Sequence, residues 1–475
     1  MSNVLGLFDQ AFFTGERVTG ATGLLQCVWV YDRAIDIDGL RRFHHHLQNG
    51  RLSRRIERSP LPFGRYRWVS AGGRSELEIV ETPRPRAEFD AWLLEQATTD
   101  LDAEHGPEWH LAALPFTDGG AGVSLLISHS LTDGVGLCAA LADAAAGRHD
   151  PITWPAAGSR PRWRAIREDA RQTVRDVPAI GRAVVAAARI ARRGLAGHAG
   201  STVPQPNRAP GPLAAADEPI TVPTATIVVD ADEWDARAAS LGGTSNSLLA
   251  AVAARLAQRA GRVAPDGSIT VGMPVNERTP GDTRANAVSN VDFTVDPALV
   301  TTDLRGIRAA TKQAIVRRDE NPDERWVLLP LVPLLPRWLL KRMAGVAAGS
   351  ATGVVASNLG EVDPAACRPD GTAAAGFTIR SSLPGMTKAL MHRTGGMMAV
   401  LSGRVHRQVF LSVAGYQPDG TNSDGDLHRL LAGALSDFSL AGAGLSTTRK
   451  TMQSSLSSTI ADKRDVGTGV AISSL

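Results

Sequence analysis

The sequence predicts an α/β (α+β) protein built from two halves. Two observations carry that prediction. Short apolar runs of strand length alternate with Ala/Leu-rich runs of helical length on both sides of the middle of the chain. Between them lies a break in composition: Ser159 to Gly200 holds ten arginines and three acids, a net +7 in a chain whose total is +3. The stretch Ser201 to Pro219 is then rich in Pro and Gly, which reads as a surface linker. The expected organisation is residues 1–155 as the first half and 156–220 as an Arg-rich helical crossover with its linker. Residues 221–440 form the second half, and 441–475, poor in large apolar residues, a disordered tail.

The elements follow in order. Thr22 to Tyr31 (TGLLQCVWVY) reads as a strand, and Gly39 to Gln48 as a helix with Asp38 at its start. Val123 to Ser128 (VSLLIS) is a short apolar run after turn residues, so a buried strand, and Val135 to Ala146 follows as a helix. In the second half, strands are expected at Ala225–Val229, Ile269–Val275 and Gly353–Ala356, with a hairpin from Met398–Val405 and Gln408–Val413. Helices are expected at Ser245–Arg259, with Asn246 as the cap, and at Asp426–Phe438, with Asp424 or Asp426 at its start.

Composition narrows the function. The 51 basic and 48 acidic side chains nearly cancel, which argues against a nucleic-acid partner. The three cysteines, Cys27, Cys138 and Cys367, are far apart in sequence, so neither a disulfide framework nor a cysteine zinc site is expected, and a reducing, cytoplasmic setting fits. The opening MSNVLGLFDQAFF lacks a basic segment followed by an apolar run, so no signal peptide is expected.

The sharpest motif is SHSLTDGVG, Ser128 to Gly136, between the expected strand and helix. It contains His129, Asp133 and Gly134 in the pattern H-x-x-x-D-G. Histidine titrates near neutrality and can take a proton from a hydroxyl or an amine. An aspartate four residues on can hold the loop by bonding a cation elsewhere, and a glycine allows backbone geometry that a Cβ would hinder.

HSLTDG resembles the signature of the CoA-dependent acyltransferase superfamily, which includes chloramphenicol acetyltransferase, plant BAHD acyltransferases, peptide-synthetase condensation domains and wax ester synthase/diacylglycerol acyltransferases. Further segments resemble that family in the same order along the chain. They are LGLFDQAFF near the start, TSNSLLAAVAARL (Thr244 to Leu256), GMPVNERT (Gly272 to Thr279), RANAVSNVDF (Arg284 to Phe293) and VVASNLG (Val354 to Gly360). The nearest pattern is that of the wax ester synthase/diacylglycerol acyltransferase-like branch. The chain departs from it at Ser128, where many relatives carry a second histidine, and at Ser247 and Arg284-Ala285.

The resemblance implies two chloramphenicol-acetyltransferase-like subdomains with an active-site tunnel between them. His129 would be the general base and Gly134 part of the catalytic loop. Asp133 would pair with Arg278 in a structural role, and Asn286, Ser357 and Asn358 would line the substrate. It implies no permanently bound cofactor, no metal, an acyl-CoA or acyl-carrier-protein thioester as donor, and a hydroxyl acceptor. The alternatives are an amide-forming condensation enzyme with carrier-bound substrates and a non-catalytic acyl- or carrier-binding relative.

Three other features have simpler readings. His44, His45 and His46 are consecutive, so on a helix they point to different faces and form no metal site. Trp326 to Leu340 (WVLLPLVPLLPRWLL) is apolar but carries three prolines, which argues for a broken buried helix or an interfacial contact rather than a membrane span. The arginine-rich stretch reads as a solvated helical face, or as an attraction for anionic headgroups, with a peripheral membrane contact at the inner face, or for a CoA or carrier-protein phosphate.

Overall fold

The computed structural model describes residues 3–71, 75–148, 153–197, 218–279, 281–320, 324–341, 353–418 and 420–444. Helix α1 (Leu7–Thr19) leads into strand β1 (Leu24–Tyr31) and helix α2 (Ile37–Gln48). Short strands β2 (Arg54–Glu57), β3 (Arg67–Ser70) and β4 (Leu77–Ile79) and helix α3 (Phe89–Gln96) precede the hairpin β5 (Trp109–Pro115) and β6 (Ala121–Ser128). Helix α4 (Gly134–Ala145) follows, then the long helix α5 (Arg162–Gly197). The second half runs β7 (Thr224–Asp230), α6 (Ala231–Ser240), α7 (Ser245–Arg259), β8 (Ile269–Asn276), β9 (Val288–Val295), α8 (Arg305–Glu320) and the single turn α9 (Glu324–Val327). Strands β10 (Val354–Glu361), β11 (Gly376–Ser382), β12 (Met397–Val405) and β13 (Gln408–Tyr416) and a helix Asp424–Ser436 complete it.

Two mixed sheets form the two lobes. The first has strand order β11-β1-β6-β5-β4 and the second β7-β13-β12-β10-β8-β9. Chain order does not partition them, because β11 comes from the second half of the sequence yet pairs antiparallel with β1 of the first. All eight residues of β1 and of β6 are buried. The reason lies in the two-residue period of a strand. Cys27, Trp29 and Tyr31 pack with Leu40 and Phe43 of α2 and Leu137 of α4. Val28 and Val30 turn the other way, onto Phe89, Trp92 and Leu93 of α3. A strand covered on both faces reads as a continuous apolar run.

The second lobe is built around α7, in which Leu248 to Ala254 are all buried. Strands β8, β10 and β12 and the helices α6, α8 and Asp424–Ser436 pack around it, so its central turns show no polar stripe.

Two caps differ from expectation, and the last helix begins at Asp424, one of the two starts expected. Asp36, not Asp38, caps α2, its carboxylate accepting the Asp38 N–H at 3.0 Å. Thr244, not Asn246, caps α7 and forms a capping box with Ser247. Ser423 caps the last helix by accepting the Asp426 N–H. In each case a neighbouring polar residue competes for the role, and the extended residue just before the first turn takes it.

The Arg-rich stretch is one 36-residue helix, α5. Most of the Pro-rich linker lies outside the described residues. The expected tail starts later than Ala441: Ala443 exchanges two backbone hydrogen bonds with Val228, at 2.9 and 3.0 Å, and residues 445–475 lie outside the described residues. The prolines of Trp326 to Leu340 break it into α9 and a 3₁₀ turn, Leu329–Leu334. Among the described residues no helix is long and apolar enough to cross a membrane.

Candidate active site

His129 is the first residue beyond β6, and its N–H donates to the Gly23 carbonyl at 2.8 Å, extending the pairing of β6 with β1. The chain then turns, with the Leu131 N–H on the Ser128 carbonyl at 3.0 Å, and enters α4. Asp133 caps α4, its Oδ1 accepting the Gly136 N–H at 2.6 Å. The histidine therefore stands between a buried strand and a capped helix, both rigid. Its Nδ1 is buried without a hydrogen-bond partner among the described residues, and its ring lies 5.3 Å from that of Phe12. A buried polar atom left unpaired is costly and is one mark of a functional group.

The second lobe clamps this loop. Arg278 stands two residues beyond β8, and its Nη2 donates to Asp133 Oδ2 at 2.7 Å and to the Ala285 carbonyl at 2.8 Å. Asp133 Oδ2 also accepts the Ala287 N–H at 2.8 Å, and the Asp133 N–H donates to the Ala285 carbonyl at 3.0 Å. Asp133 thus accepts three hydrogen bonds, one at Oδ1 and two at Oδ2, and all three hold the loop.

Asn286 sits in the same seam. Its Nδ2 donates to the His129 carbonyl and to Asp9 Oδ1, each at 3.2 Å. Its side-chain nitrogen is therefore shared between the histidine backbone and Asp9, while its Oδ1 is buried without a partner among the described residues. Gly134 has no unusual φ; a Cβ there would come 2.6 Å from Leu359 Cδ2 on β10, so that side chain would have to shift to admit one. Ser357 lies on the same face of β10 as Leu359, by strand alternation. Asn358 points to the other face, where its Nδ2 donates to Asn246 Oδ1 at 2.5 Å and so joins β10 to the start of α7. The structure thus brings His129, Asp133, Gly134, Arg278 and Asn286 into direct contact. Ser357 flanks them, and Asn358 is turned toward α7.

Two further residues at this seam, Arg54 and Asp9, are not among the site residues expected from the sequence. Arg54 is buried, with its guanidinium 3.9 Å from the Trp68 ring centre. It donates to the Leu131 carbonyl at 2.7 Å and to the Thr283 carbonyl at 2.6 Å, tying the loop to the second lobe. Burial pulls its pKa down to about 9, and the carboxylates of Asp9 and Asp133 work against that. Asp9, on α1, is fully buried and accepts the N–H groups of Ala285 at 3.0 Å and Asn286 at 2.9 Å. Burial raises its pKa and those two hydrogen bonds oppose the rise. Asp9 lies inside LGLFDQAFF, so its segment was marked by the sequence although its partners were not. Two carboxylates and two guanidiniums together form a neutral buried quartet at the lobe junction.

Glu16 closes the loop from behind. Its Oε1 accepts the Gly23 N–H at 2.7 Å and its Oε2 accepts the Ser130 hydroxyl. Burial pushes its carboxyl from 4.5 up to about 7. The folded protein then holds this proton more tightly than the unfolded chain does, so native stability falls as pH rises from 4.5 to about 7 and the loss is complete above that. Glu16→Gln is expected to raise the melting temperature relative to the parent at pH 8 and to change it little at pH 5. Melting curves at both pH values check this, and an equal difference at both would contradict it.

No protein-family model matches the chain, and no curated protein matches it in sequence. Solved structures do match. The wax ester synthase/diacylglycerol acyltransferase from Marinobacter aquaeolei VT8 is 16% identical, with 92% of this chain and 98% of that one covered and a TM-score of 0.52. The first condensation domain of the calcium-dependent antibiotic synthetase is 13% identical, over 94% and 99%, with a TM-score of 0.53. The chain has the condensation fold. Polyketide synthase associated protein 5 from Mycobacterium tuberculosis matches as well, at 15% identity over 89% and 96% with a TM-score of 0.51. In a condensation fold matched over nearly its whole length, the two lobes and the seam holding His129 are parts of one architecture, which agrees with the two-subdomain arrangement expected from the motifs.

Proposed function

We propose that the protein is an acyltransferase that moves an acyl group from a thioester, acyl-CoA, to a hydroxyl acceptor by direct attack. The observation that carries this reading is the His129 imidazole at the lobe seam, with Nδ1 free of hydrogen-bond partners among the described residues and its loop clamped from the opposite lobe. In this reaction His129 takes the proton of the acceptor hydroxyl as the oxygen attacks the thioester carbonyl. The tetrahedral oxyanion collapses, the C–S bond breaks, and the departing thiolate receives the proton from His129. Donor and acceptor approach along the seam between the lobes. Asp133, Arg278, Asp9 and Arg54 are positioning residues that keep the loop in register, and Asn286 positions the histidine through its carbonyl. Gly134 keeps the loop close to Leu359, and Ser357, beside it, is the side chain of β10 best placed to meet substrate.

A second reading is amide formation from carrier-bound substrates, which the likeness to a condensation domain favours. The segments Asn286–Phe293 and Leu248–Ala251 follow the wax ester synthase pattern and weigh toward the ester. The purified protein, given acyl-CoA donors of several lengths with alcohol or amine acceptors, is expected to release thiol and yield an ester. Products that are amides only would overturn the hydroxyl acceptor. Failure to release thiol from any CoA or carrier-bound donor would overturn acyl transfer.

A further inference from the structure

Helix α5 is 36 residues long, about 54 Å at 1.5 Å per residue, and much of it faces solvent. Most of its exposed large side chains fall into two neighbouring stripes, with Arg192 inside the apolar arc, Val185 at the margin of the basic one, and Arg162 and Ile190 outside both. At 100° per residue, Trp163, Ile166, Val174, Val177 and Val184 fall within an arc of about 80°. All five are exposed, Trp163 at 65%. Arg167, Arg171, Arg175, Arg182 and Arg189, also exposed, fall within a second arc of about 80°, centred roughly 100° further round. The acids of the helix do not neutralise that stripe. Asp169 is turned inward and bonded to Arg67 and Arg160, Asp176 to Arg65, and Glu168 to Arg160 and Arg164.

A second element with exposed apolar surface packs against the helix. The 3₁₀ turn Leu329–Leu334 packs against α5, and four residues beyond it Trp338 is 68% exposed. Behind that turn runs a line of aromatic rings leading inward. Trp326 lies 4.7 Å from Phe8, Phe8 lies 6.2 Å from Phe12, and Phe12 lies 5.3 Å from the His129 ring.

We propose that α5 and the segment 329–338 form a platform that docks on the surface of an anionic phospholipid bilayer. The helix lies in the plane of the interface, with its arginines on headgroup phosphates and its apolar stripe at the acyl boundary. Exposed tryptophans beside a basic row are the chemistry that such an interface favours. The basic and apolar rows run side by side for about 26 Å, from Arg167 to Val184, and together span about 39 Å, which suits a continuous lipid surface better than the compact footprint of a small acidic protein. The consequence for catalysis rests on the acyltransferase reading: an apolar substrate leaving the bilayer meets the Trp326–Phe8–Phe12 line and is led to His129. The docking itself does not rest on that reading.

The test is flotation of the full chain with vesicles and no substrate, so its outcome is independent of acyl transfer. Vesicles of phosphatidylcholine with about 30% phosphatidylglycerol are expected to carry the protein at low salt and release it at high salt, while pure phosphatidylcholine binds it weakly. The charge-reversed variant Arg171→Glu/Arg175→Glu/Arg182→Glu should bind at least about tenfold less. The variant Val174→Ser/Val184→Ser keeps the charge and should bind severalfold less, with adsorption still sensitive to salt. Both variants should keep the parent melting temperature and parent activity on a short, soluble acyl-CoA. No binding to the anionic vesicles, or equal binding by the charge-reversed variant, would overturn the proposal. Binding to an acidic acyl-carrier protein with none to vesicles would reassign this face to a protein partner.

Discussion

Replacing His129 by alanine is expected to lower the rate of acyl transfer by about 10²–10⁴-fold, the usual cost of removing a general base. The same change should leave the fold standing. The backbone N–H of residue 129 would still reach the Gly23 carbonyl, and its carbonyl would still accept from Asn286. The lost side chain touches the Phe12 ring, and no hydrogen bond of its Nδ1 is broken. Rate measurements on a variant whose melting curve overlays the parent check this. Full activity in a folded His129→Ala protein would remove the histidine from the mechanism.

The second large effect concerns the clamp. Asp133 and Arg278 are 2.7 Å apart, with side chains only 6% and 11% exposed. Removing one partner of such a buried pair costs about 3–5 kcal/mol, because the other charge is left in a low-dielectric site. The two partners are not equivalent. Asp133→Ala also strands the N–H groups of Gly136 and Ala287, whereas Arg278→Met leaves Asp133 with both of those donors. Asp133→Ala is therefore expected to be the more destabilising of the two. Denaturant unfolding of both single variants and the double variant forms the cycle, and the double should fall short of the sum by roughly 1–3 kcal/mol. Additivity within about 0.5 kcal/mol would show that the pair is not coupled.

The parts of this molecule that a sequence reader can find are those where one physical demand dominates. β1, β6 and the β12–β13 hairpin are continuous or alternating apolar runs between turn residues, and α7 is an alanine-rich helix with a polar start. β11 escapes because GFTIRSS ends in polar residues that lie half-buried at the edge of the sheet. The short strands β2, β3 and β4, of three or four residues each, are too brief to establish a period. The site divides in the same way. His129 and Asp133 are four residues apart and can be seen together, and Arg278 becomes visible through its resemblance to a family motif. Arg54 lies in the arginine-rich run RLSRRIER, where nothing local distinguishes the residue that will be buried on Trp68. Its role comes from contacts 77 and 229 residues away.

The insertion of β11 beside β1 has a consequence for how the protein is made. A ribosome delivers β1 early, with β6 about a hundred residues behind it to cover one side. The other side stays open until residues 376–382 have been synthesised. For most of translation, then, the nascent first lobe carries an eight-residue apolar strand with one unpaired margin, the kind of edge that invites association with other chains. The same delay applies to the clamp on His129, since Arg278 and Ala287 also arrive late. Sheet closure thus waits for residues 376–382 and assembly of the site for residues 278–287, so a chain cut short of either has an open sheet edge or an unclamped loop.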